Sequence, residues 1–452
     1  MNTDYEVRSS GGAQITLRLS QDYSIAPGAH NVLPANGDRV SVRGTGTTPW
    51  RILTGTRYAG APASGSLAPY VIDTTQLAGN APAGVNWSPR LAPAMWHAVA
   101  TDNLGRIVLA ADNPGQLRVS SDGGQTWVTG NAPGGLNWVS VAVANSPCCG
   151  DSIGYTNQTM LAAAYGGGLY VSYGGASWQA VSSKDPAIDF SNREWEAVVA
   201  NLGGGGAAAV LNGPIYYTVG TIAANVPWQQ ATLVGSSVPL VRPWRAMANA
   251  GGGATTVAVS EDGGVFVSTD AAHTWVPRPV TIAGSVVAEG WYRVGFSADG
   301  NTIAVAGRFN SGLYVSHDQG LTWSRAPTPT GDYTAVSVSG DGRTIAATMT
   351  NGTSGNGSVQ LSRDGGATFS PATMPGTDTN WRAVAMSSDA NFMAVAAGTF
   401  TMTTGQLYTS LGNRTTYGVG SLVGGQGSFV DLEYVGSDTW KVRSSSGPIE
   451  IR

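Results

Sequence analysis

Short runs of alternating small and β-branched or aromatic residues recur along most of the chain, separated by glycine-rich turns. Runs such as GLYVS at Gly312–Ser316 and TIAVAG at Thr302–Gly307 have the two-residue period of a strand packed on both sides. A helical alternative fails, because Gly and Pro interrupt every window long enough to hold three helical turns. The pattern therefore predicts an all-β chain built from many short strands.

These strands repeat in units of 42 to 57 residues, each opened by an aromatic residue. After the opening strand come a glycine-bearing turn, a small apolar strand, a second turn, a third strand, a Ser-containing turn and a last short strand. Four strands in about 45 residues are the unit of a β-propeller blade. We expect a seven-bladed propeller of four-stranded blades over residues 96–422. Its blades open at Trp96, Trp138, Trp195, Trp244, Trp291, Tyr333 and Trp381.

The turn between the third and fourth strands carries the pattern Ser-x-Asp-x-Gly-x-Thr-Trp in several units. This pattern resembles the Asp-box, or BNR repeat, of sialidases, some glycoside hydrolases, sortilin-type receptors and other propellers. The resemblance implies a fold rather than an activity, since unrelated functions share the motif. The matching residues are Ser120, Asp122, Gly124, Thr126 and Trp127; Ser268, Asp270, Thr274 and Trp275; Ser316, Asp318, Gly320, Thr322 and Trp323; and Ser362, Asp364, Gly366, Thr368 and Phe369.

Other copies of the motif are incomplete: Ser172–Trp178 lacks the acid, and Gly412 replaces it in Ser410–Tyr417. The Asp and Ser oxygens can accept backbone N–H groups across the turn, so the motif predicts a structural fastener. The resemblance places functional sites of the family on the opposite face, and we expect function there.

Residues 1–95 and 423–452 fall outside the repeated units. Val40–Ile52 and Val430–Val442 each place a valine ten residues before a tryptophan, and each predicts a β-hairpin. We expect the two hairpins to form a small β module that joins the chain ends and offers a surface for oligomerisation. The alternative is a coincidental similarity between two tryptophan hairpins.

Composition narrows the function classes. A chain that is 42% hydrophobic and 12% charged is globular rather than disordered. A net charge of −4 argues against nucleic-acid binding, and no apolar run reaches the roughly 18 residues of a membrane span. The first ten residues lack the features of a signal peptide. The four histidines show no metal or triad pattern, so neither metal nor cofactor is expected.

The two cysteines are neighbours, Cys148 and Cys149. The alternatives are two free thiols in a loop and a strained vicinal disulfide.

Residues that differ between blades at equivalent positions can build an asymmetric site on a repeated frame. Aromatic rings match the apolar faces of sugars, and arginines match carboxylates. The alternatives are wedges between blades for the aromatic rings and solvated rim charges for the others. The candidate ligand-binding residues are Trp244, Arg245, Glu289, Trp291, Tyr292, Arg293, Asp332, Trp381 and Arg382.

The leading hypothesis is a non-catalytic recognition protein, extracellular or associated with a surface or virion, that binds a glycan or another surface receptor. No catalytic set is evident: the nearest match to the Arg-Ile-Pro motif of sialidases, WRIL at Trp50–Leu53, lacks the proline. One alternative is a glycoside hydrolase or polysaccharide lyase, for which Glu289 and Asp332 are the acids to test. Another is a structural or attachment subunit of a phage tail or bacterial surface assembly.

Overall fold

The computed structural model describes residues 82–144, 158–201, 204–218, 220–223, 225–308, 311–350, 357–398, 404–412 and 428, and the strands given below at the two chain ends. Within these residues all regular structure is β, and no helix is long and apolar enough to cross a membrane. The chain divides into a larger unit, Gly84–Pro147 with Ile153–Ser410, and a smaller one, Met1–Ala83 with Cys148–Ser152 and Leu411–Arg452.

The smaller unit contains strands from both ends of the chain. Its N-terminal strands are β1 (Tyr5–Ser10), β2 (Arg39–Gly44), β3 (Trp50–Thr54) and β4 (Val71–Asp73).

The larger unit repeats an antiparallel group of four strands. The strand that precedes the first group is β5 (Ser88–Ala94). The first groups are β6 (Trp96–Thr101), β7 (Val108–Asp112), β8 (Leu117–Ser120) and β9 (Val128–Thr129); β10 (Trp138–Val143), β11 (Thr159–Gly167), β12 (Leu169–Tyr173) and β13 (Trp178–Ala180); and β14 (Arg193–Ala200), β15 (Gly206–Val210), β16 (Gly213–Thr218) and β17 (Gln229–Gln230).

Short strands β18 (Thr232–Leu233) and β19 (Val241–Arg242) lead into the fourth group, and β24 (Thr281–Ile282) and β25 (Ser285–Val286) lead out of it. The remaining groups are β20 (Trp244–Asn249), β21 (Thr256–Ser260), β22 (Val265–Ser268) and β23 (Thr274–Pro277); β26 (Trp291–Phe296), β27 (Ile303–Gly307), β28 (Leu313–Ser316) and β29 (Ser324–Arg325); β30 (Asp332–Val338), β31 (Ile345–Thr350), β32 (Ser358–Ser362) and β33 (Ser370–Pro371); and β34 (Trp381–Met386), β35 (Phe392–Gly398) and β36 (Thr404–Leu411).

The last group takes its fourth strand from upstream of the first group. β5 pairs antiparallel with β36, in the sheet order β34-β35-β36-β5. The Gln406 side-chain amide donates to the carbonyl of Leu91 at 3.0 Å, and Arg90 Nε donates to Thr409 Oγ1 at 2.7 Å. The first and last parts of the larger unit are therefore held in one sheet, with β5 lying upstream of the boundary expected at residue 96.

The core lies between neighbouring groups, because the second strand of each group is buried on both faces. Strands β15 and β27, whose sequences are GAAAV and IAVAG, are buried at every position. Small side chains on these strands let adjacent sheets approach closely, and aromatic residues fill the space between them. Trp195 and Phe190, for example, meet edge to face with their ring centroids 5.3 Å apart.

In the smaller unit, strands from the two chain ends share sheets. The C-terminal strands are β37 (Gly420–Gly424), β38 (Phe429–Tyr434), β39 (Thr439–Ser446) and β40 (Ile449–Ile451). One sheet has the order β1-β2-β38-β39-β4, and the other the order β3-β37-β40.

The C-terminal hairpin is present as β38 and β39. The N-terminal hairpin expected over Val40–Ile52 differs, since β2 and β3 lie in different sheets and each pairs with a C-terminal strand. A lone two-stranded hairpin is marginally stable, whereas a sheet of three or more strands buries more of each strand.

Candidate functional site

The first strand of each four-strand group has a β-bulge directly after its opening aromatic residue. In β26, for example, the register shifts between Trp291 and Arg293, so that Tyr292 is the extra residue. A bulge bends the strand and re-aims a side chain. The extra residues of the groups are His97, Val139, Glu196, Arg245, Tyr292, Thr334 and Arg382.

The bulges lie at the end of the larger unit opposite to the Asp-box turns. Antiparallel pairing brings the turn between strands one and two beside the Asp-box turn between strands three and four. The Gly123 amide donates to the carbonyl of Arg106 at 2.8 Å, and the Gly365 amide to that of Arg343 at 2.8 Å. We call this the Asp-box end, and the end where the first strands begin the bulge end.

Three arginines at the bulge end surround the ring of Tyr292. The guanidinium carbons of Arg293, Arg308 and Arg245 lie 4.3, 4.9 and 5.2 Å from its centroid. Arg308 also donates from Nη1 to the Tyr292 hydroxyl at 3.3 Å. Cation–π attraction allows several positive groups to gather at a ring that is itself only 8% exposed.

Arg293 is bound mainly by backbone carbonyl oxygens. It donates to the carbonyls of Tyr292, Thr334 and Arg245, which belong to three successive groups. No carboxylate oxygen in the described part of the chain lies within 4.0 Å of its guanidinium nitrogens. Carbonyl dipoles satisfy its donors but leave its positive charge available to an anion.

Arg382 and His97 form a second positive position beside this cluster. Arg382 Nη2 lies 3.4 Å from His97 Nδ1, which must accept because a guanidinium only donates. Burial, then the charges of Arg382 and Arg293, lower the pKa of His97 to about 3. Burial, then the charge of Arg293, lower the pKa of Arg382 to about 9. Both shifts come first from burial and second from the positive charges of neighbouring arginines.

Among the described residues, two glutamates pair with the arginine of the cluster at position 245. Arg245 forms ion pairs with Glu196, at 3.2 Å, and with Glu261. Although burial opposes the change, the Glu261 hydrogen bond and the charge of Glu196 raise the pKa of Arg245. Burial raises the pKa of Glu196 despite the two nearby arginines. The bulge end therefore has carboxylates paired with Arg245, and it gathers Arg293, Arg308 and Arg382 beside them.

The tryptophans expected as a sugar platform are placed differently. Trp244, Trp291 and Trp381 are 0%, 0% and 1% exposed, so none presents a face to a ligand. Their rings pack between sheets, and the indole N–H groups of Trp244 and Trp291 donate to the carbonyls of Gly213 and Gly263. This corrects their assignment as ligand-binding residues. In the first strand of a four-strand group, the opening aromatic ring packs as a wedge between two neighbouring sheets.

One of the expected acids, Glu289, is bound away from the arginines in the described structure. The Glu289 carboxylate accepts hydrogen bonds from the hydroxyls of Tyr314, at 3.1 Å, and Ser311. Asp332 opens β30 and lies opposite Thr350 in the ladder. Of the residues singled out from the sequence, the structure brings together Arg245, Tyr292, Arg293 and Arg382.

Sequence reasoning missed Arg308, which follows β27 directly. The sequence contained a signal for it. Because the first two strands of a group pair antiparallel, the second strand ends beside the start of the first, as Gly307 lies opposite Trp291. A charged residue directly after the second strand is therefore expected close to Tyr292.

The Asp-box turns are closed by their own side chains. Ser120 Oγ donates to Asp122 Oδ1 at 2.7 Å and accepts the Gly124 amide at 2.8 Å. The Thr126 hydroxyl donates to Asp122 at 2.6 Å, and the Trp127 indole N–H donates to the Gly124 carbonyl at 2.9 Å. The same serine-to-aspartate and threonine-to-aspartate bonds recur in the turns at Ser268, Ser316 and Ser362.

The incomplete copy at Ser172 keeps part of this network without an acid. Ser172 Oγ accepts the Gly175 amide at 2.9 Å, and the Trp178 indole donates to the Gly175 carbonyl at 2.9 Å. In the complete turns the carboxylate is fixed by its neighbours: hydrogen bonds led by the Thr368 hydroxyl lower the pKa of Asp364 to about 2. Across the described ranges, no group of three or more His, Cys, Asp or Glu residues is arranged to hold a metal ion.

Comparison with known proteins agrees with this architecture. The family model for the BNR/Asp-box repeat matches residues 314–325, which contain most of β28 and the Asp-box turn that follows it. No curated protein sequence matches the chain.

Among solved structures, YCF48 bound to a D1 peptide superposes with a TM-score of 0.50 at 15% identity, covering 72% of this chain and 96% of its own. The β-propeller domain of Cps50 (Swd1) from Myceliophteria thermophila has a TM-score of 0.50 at 10% identity, covering 72% and 99%. The WD40 repeats of RRP9 have a TM-score of 0.50 at 8% identity, covering 73% and 98%. Identities this low show the fold alone: the chain contains a β-propeller with BNR-type repeats.

Proposed function

We propose that this protein is a non-catalytic recognition protein that binds an acidic glycan at the bulge end of its propeller. The observation that carries the proposal is the gathering of Arg245, Arg293 and Arg308 around one tyrosine ring, with Arg382 alongside. Guanidinium groups bind carboxylates and sulfates through paired, charge-assisted hydrogen bonds. An acidic sugar would supply the negative charge that these arginines favour.

A glycan fits this site better than a purely ionic ligand does, because the cluster is bordered by neutral hydrogen-bonding groups. The Tyr292 hydroxyl and the neutral His97 ring lie beside the arginines. The Tyr292 hydroxyl can bond to a sugar hydroxyl while the arginines hold the acid group. A protein with such a ligand would act where glycans are displayed, which is the basis for proposing an extracellular, surface or virion-associated location.

The test is a glycan array that includes uronate, sialyl and sulfated glycans with their neutral counterparts, followed by calorimetry on any hit. We expect binding to acidic glycans only, and Arg308→Ala to weaken it by about 10- to 100-fold, since a hydrogen bond to a charged group contributes about 1.5–3 kcal/mol. Arg343→Ala is the matched control, because Arg343 is exposed at the Asp-box end and its loss leaves the cluster intact.

Other outcomes discriminate the remaining candidates. Cleaved glycan products in the same incubations would show that the protein is a glycan-cleaving enzyme and not a recognition protein. Glu196 would then be the first acid to mutate, because burial raises the pKa of its carboxyl group. Absence of any hit across acidic and neutral glycans would sink the glycan proposal and favour a structural or attachment role.

A further inference from the structure

Thr334, the extra residue of the bulge in β30, is hydrogen-bonded to the groups on both sides of it. Its carbonyl accepts the Arg293 Nε–H at 2.5 Å, on the side of β26. Its hydroxyl donates to the carbonyl of Trp381, in β34, at 2.7 Å. Thr334 therefore joins the strand that carries Arg293 to the strand that carries Arg382.

The distances around the Thr334 hydroxyl indicate the direction of each bond. A threonine hydroxyl has one proton to donate, and its oxygen can also accept. The Trp381 carbonyl oxygen, at 2.7 Å, is nearer than the Thr348 carbonyl oxygen, at 3.1 Å. The Thr348 hydroxyl lies 2.9 Å from Thr334 Oγ1 and can donate to it in turn. Both threonines are buried, so these bonds do not compete with bulk water.

Further contacts extend this connection to the neighbouring first strands. Arg293 Nη1 donates to the carbonyl of Arg245, in β20, at 3.4 Å. Arg382 Nη2 lies 3.4 Å from His97 Nδ1, in β6. The spacing of the arginines across these strands therefore depends on Thr334, through which Arg293 and Arg382 are connected.

This spacing matters because an acid group is held by guanidinium groups at defined positions. Paired, charge-assisted hydrogen bonds to a carboxylate or sulfate need a fixed geometry, which supporting side chains have to maintain. Arg293 and Arg382 are close: after burial, the charge of Arg293 is the next cause that lowers the pKa of Arg382, to about 9. Like charges repel, so other contacts must hold the two groups together.

We propose that Thr334 is a positioning residue of the acidic-glycan site, which sets the distance between Arg293 and Arg382. The inference rests on the proposed function above. The Thr334 side chain is only 6% exposed and offers almost no surface to a glycan. It acts on a ligand through Arg293 and through the strand that carries Arg382.

The experiment compares Thr334→Val with Thr334→Ser in the full chain. Valine has the shape of threonine without the hydroxyl, whereas serine keeps the hydroxyl. The calorimetric probe is a disaccharide that carries one uronate and one sulfate group. We expect Thr334→Val to weaken its binding by about 3- to 10-fold, the range of one neutral hydrogen bond, and Thr334→Ser to bind within about twofold of the parent chain. Thr334→Ala, which also lacks the hydroxyl, replaces the valine variant if that chain does not fold.

Thr256→Val is the matched control. Thr256 is 0% exposed in β21, and its hydroxyl has no hydrogen-bond partner among the described residues. Removing this buried hydroxyl should therefore leave binding of the disaccharide unchanged.

The imidazole NMR signals of His97 give a readout that needs no glycan. The chain has four histidines, so His97→Gln identifies these signals. Because Arg382 lies beside His97 Nδ1, a displacement of β34 in Thr334→Val should move them in the ligand-free chain. Thr334→Ser and Thr256→Val should leave them in place.

The two readouts separate the inference from the proposed function. Moved His97 signals, with no binding of the disaccharide by the parent chain, would support the role of Thr334 in spacing the arginines and reject the glycan proposal. Unmoved signals, or binding as tight as the parent's in a folded Thr334→Val chain, would overturn the inference.

Discussion

At the scale of single residues, two Asp-box turns carry backbone strain that glycine relieves in the others: Ala271 and Ala272 are left-handed in one turn, and Gln319, with a φ of 59°, is left-handed in the other. Ala271 has a φ of 59° at the position where two other turns have Gly123 and Gly365, with φ of 69° and 75°. A left-handed conformation costs a non-glycine residue about 1–2 kcal/mol, and glycine's greater unfolded-state entropy offsets part of the relief.

We expect Ala271→Gly to raise the free energy of unfolding by up to about 1 kcal/mol in urea titrations. Ala100→Gly, in strand β6, is the control and should lower it. Equal destabilisation by both substitutions would contradict the strain argument.

The depressed pKa of His97 predicts a second residue-scale effect, the acid sensitivity of the fold. The folded chain holds His97 neutral down to about pH 3, whereas the unfolded chain protonates it below about pH 6.5. The unfolded state therefore binds more protons in this window, and stability falls as the pH drops from 6.5 towards 3.

We expect His97→Gln to flatten the loss of stability between pH 6.5 and 4, measured as the urea midpoint at each pH. The Asp-box aspartates do not obscure this window: the pKa of Asp364, for example, is lowered from 3.8 to about 2, so its contribution is lost only at lower pH. A variant with the parent's pH profile would show that His97 is protonated in the fold.

Residue-level chemistry was only partly predictable from the sequence. The variation at Arg245, Tyr292 and Arg382 within a repeated frame indicated a site, and these side chains do meet Arg293. The neighbouring tryptophans were ambiguous, because a ring that binds a sugar and a ring that packs between two blades can be the same residue type. Burial, which depends on how adjacent sheets pack, decides between them, and a single chain's pattern does not contain that information.

At the scale of elements, the alternating pattern predicted the short strands of each repeated unit. It did not predict β5, the strand that pairs with β36 and completes the last four-strand group. β5, with the sequence SPRLAPA, has two prolines and little apolar alternation, so its pattern does not predict a strand. It forms because β36 presents an open edge, to which β5 adds backbone and side-chain hydrogen bonds. Pairing across more than 300 residues is a property of the closed ring, which local propensity cannot reveal.

The closure by β5 can be tested with two truncated chains, one beginning at residue 84 and the other at residue 96. Both lose the N-terminal strands of the smaller unit, so their difference reports β5 together with its flanking residues, which include Gly84, whose amide donates to Ser410 Oγ at 2.8 Å. We expect the chain from residue 96 to melt at least about 5 °C lower and to aggregate sooner, because it exposes the edge of β36. Equal melting temperatures and light scattering would show that β5 does not contribute to closure.

At the scale of the whole molecule, the arginine cluster is a local concentration of positive charge on a chain whose net charge is −4. On the proposal made above, an acidic protein with this positive cluster in its described part would bind anions at the cluster rather than over its whole surface. The charge total alone argued against nucleic acid as a general partner, which stays a prediction, and it did not indicate the cluster. Its position depends on bulges in strands that are far apart in sequence.

The two ends of the chain also meet only at this scale, and their shared sheets predict that they fold together. β38 pairs with β2, β37 pairs with β3, and β39 pairs in parallel with β4, so each C-terminal sheet contains N-terminal strands. Deleting residues 1–54 removes β1, β2 and β3 and leaves β37 and β38 with an unpaired edge.

We expect limited trypsin digestion of this deletion variant to cleave within 420–452, at Lys441 or Arg443, at least about tenfold faster than in the full chain. Cleavage tracks the population of the open segment when opening and closing are fast, and the loss of a paired edge increases that population. Trypsin sites within the propeller, such as Arg325, provide the internal control. Equal cleavage rates at Lys441 in both chains would mean that the C-terminal strands fold without those at the N-terminus.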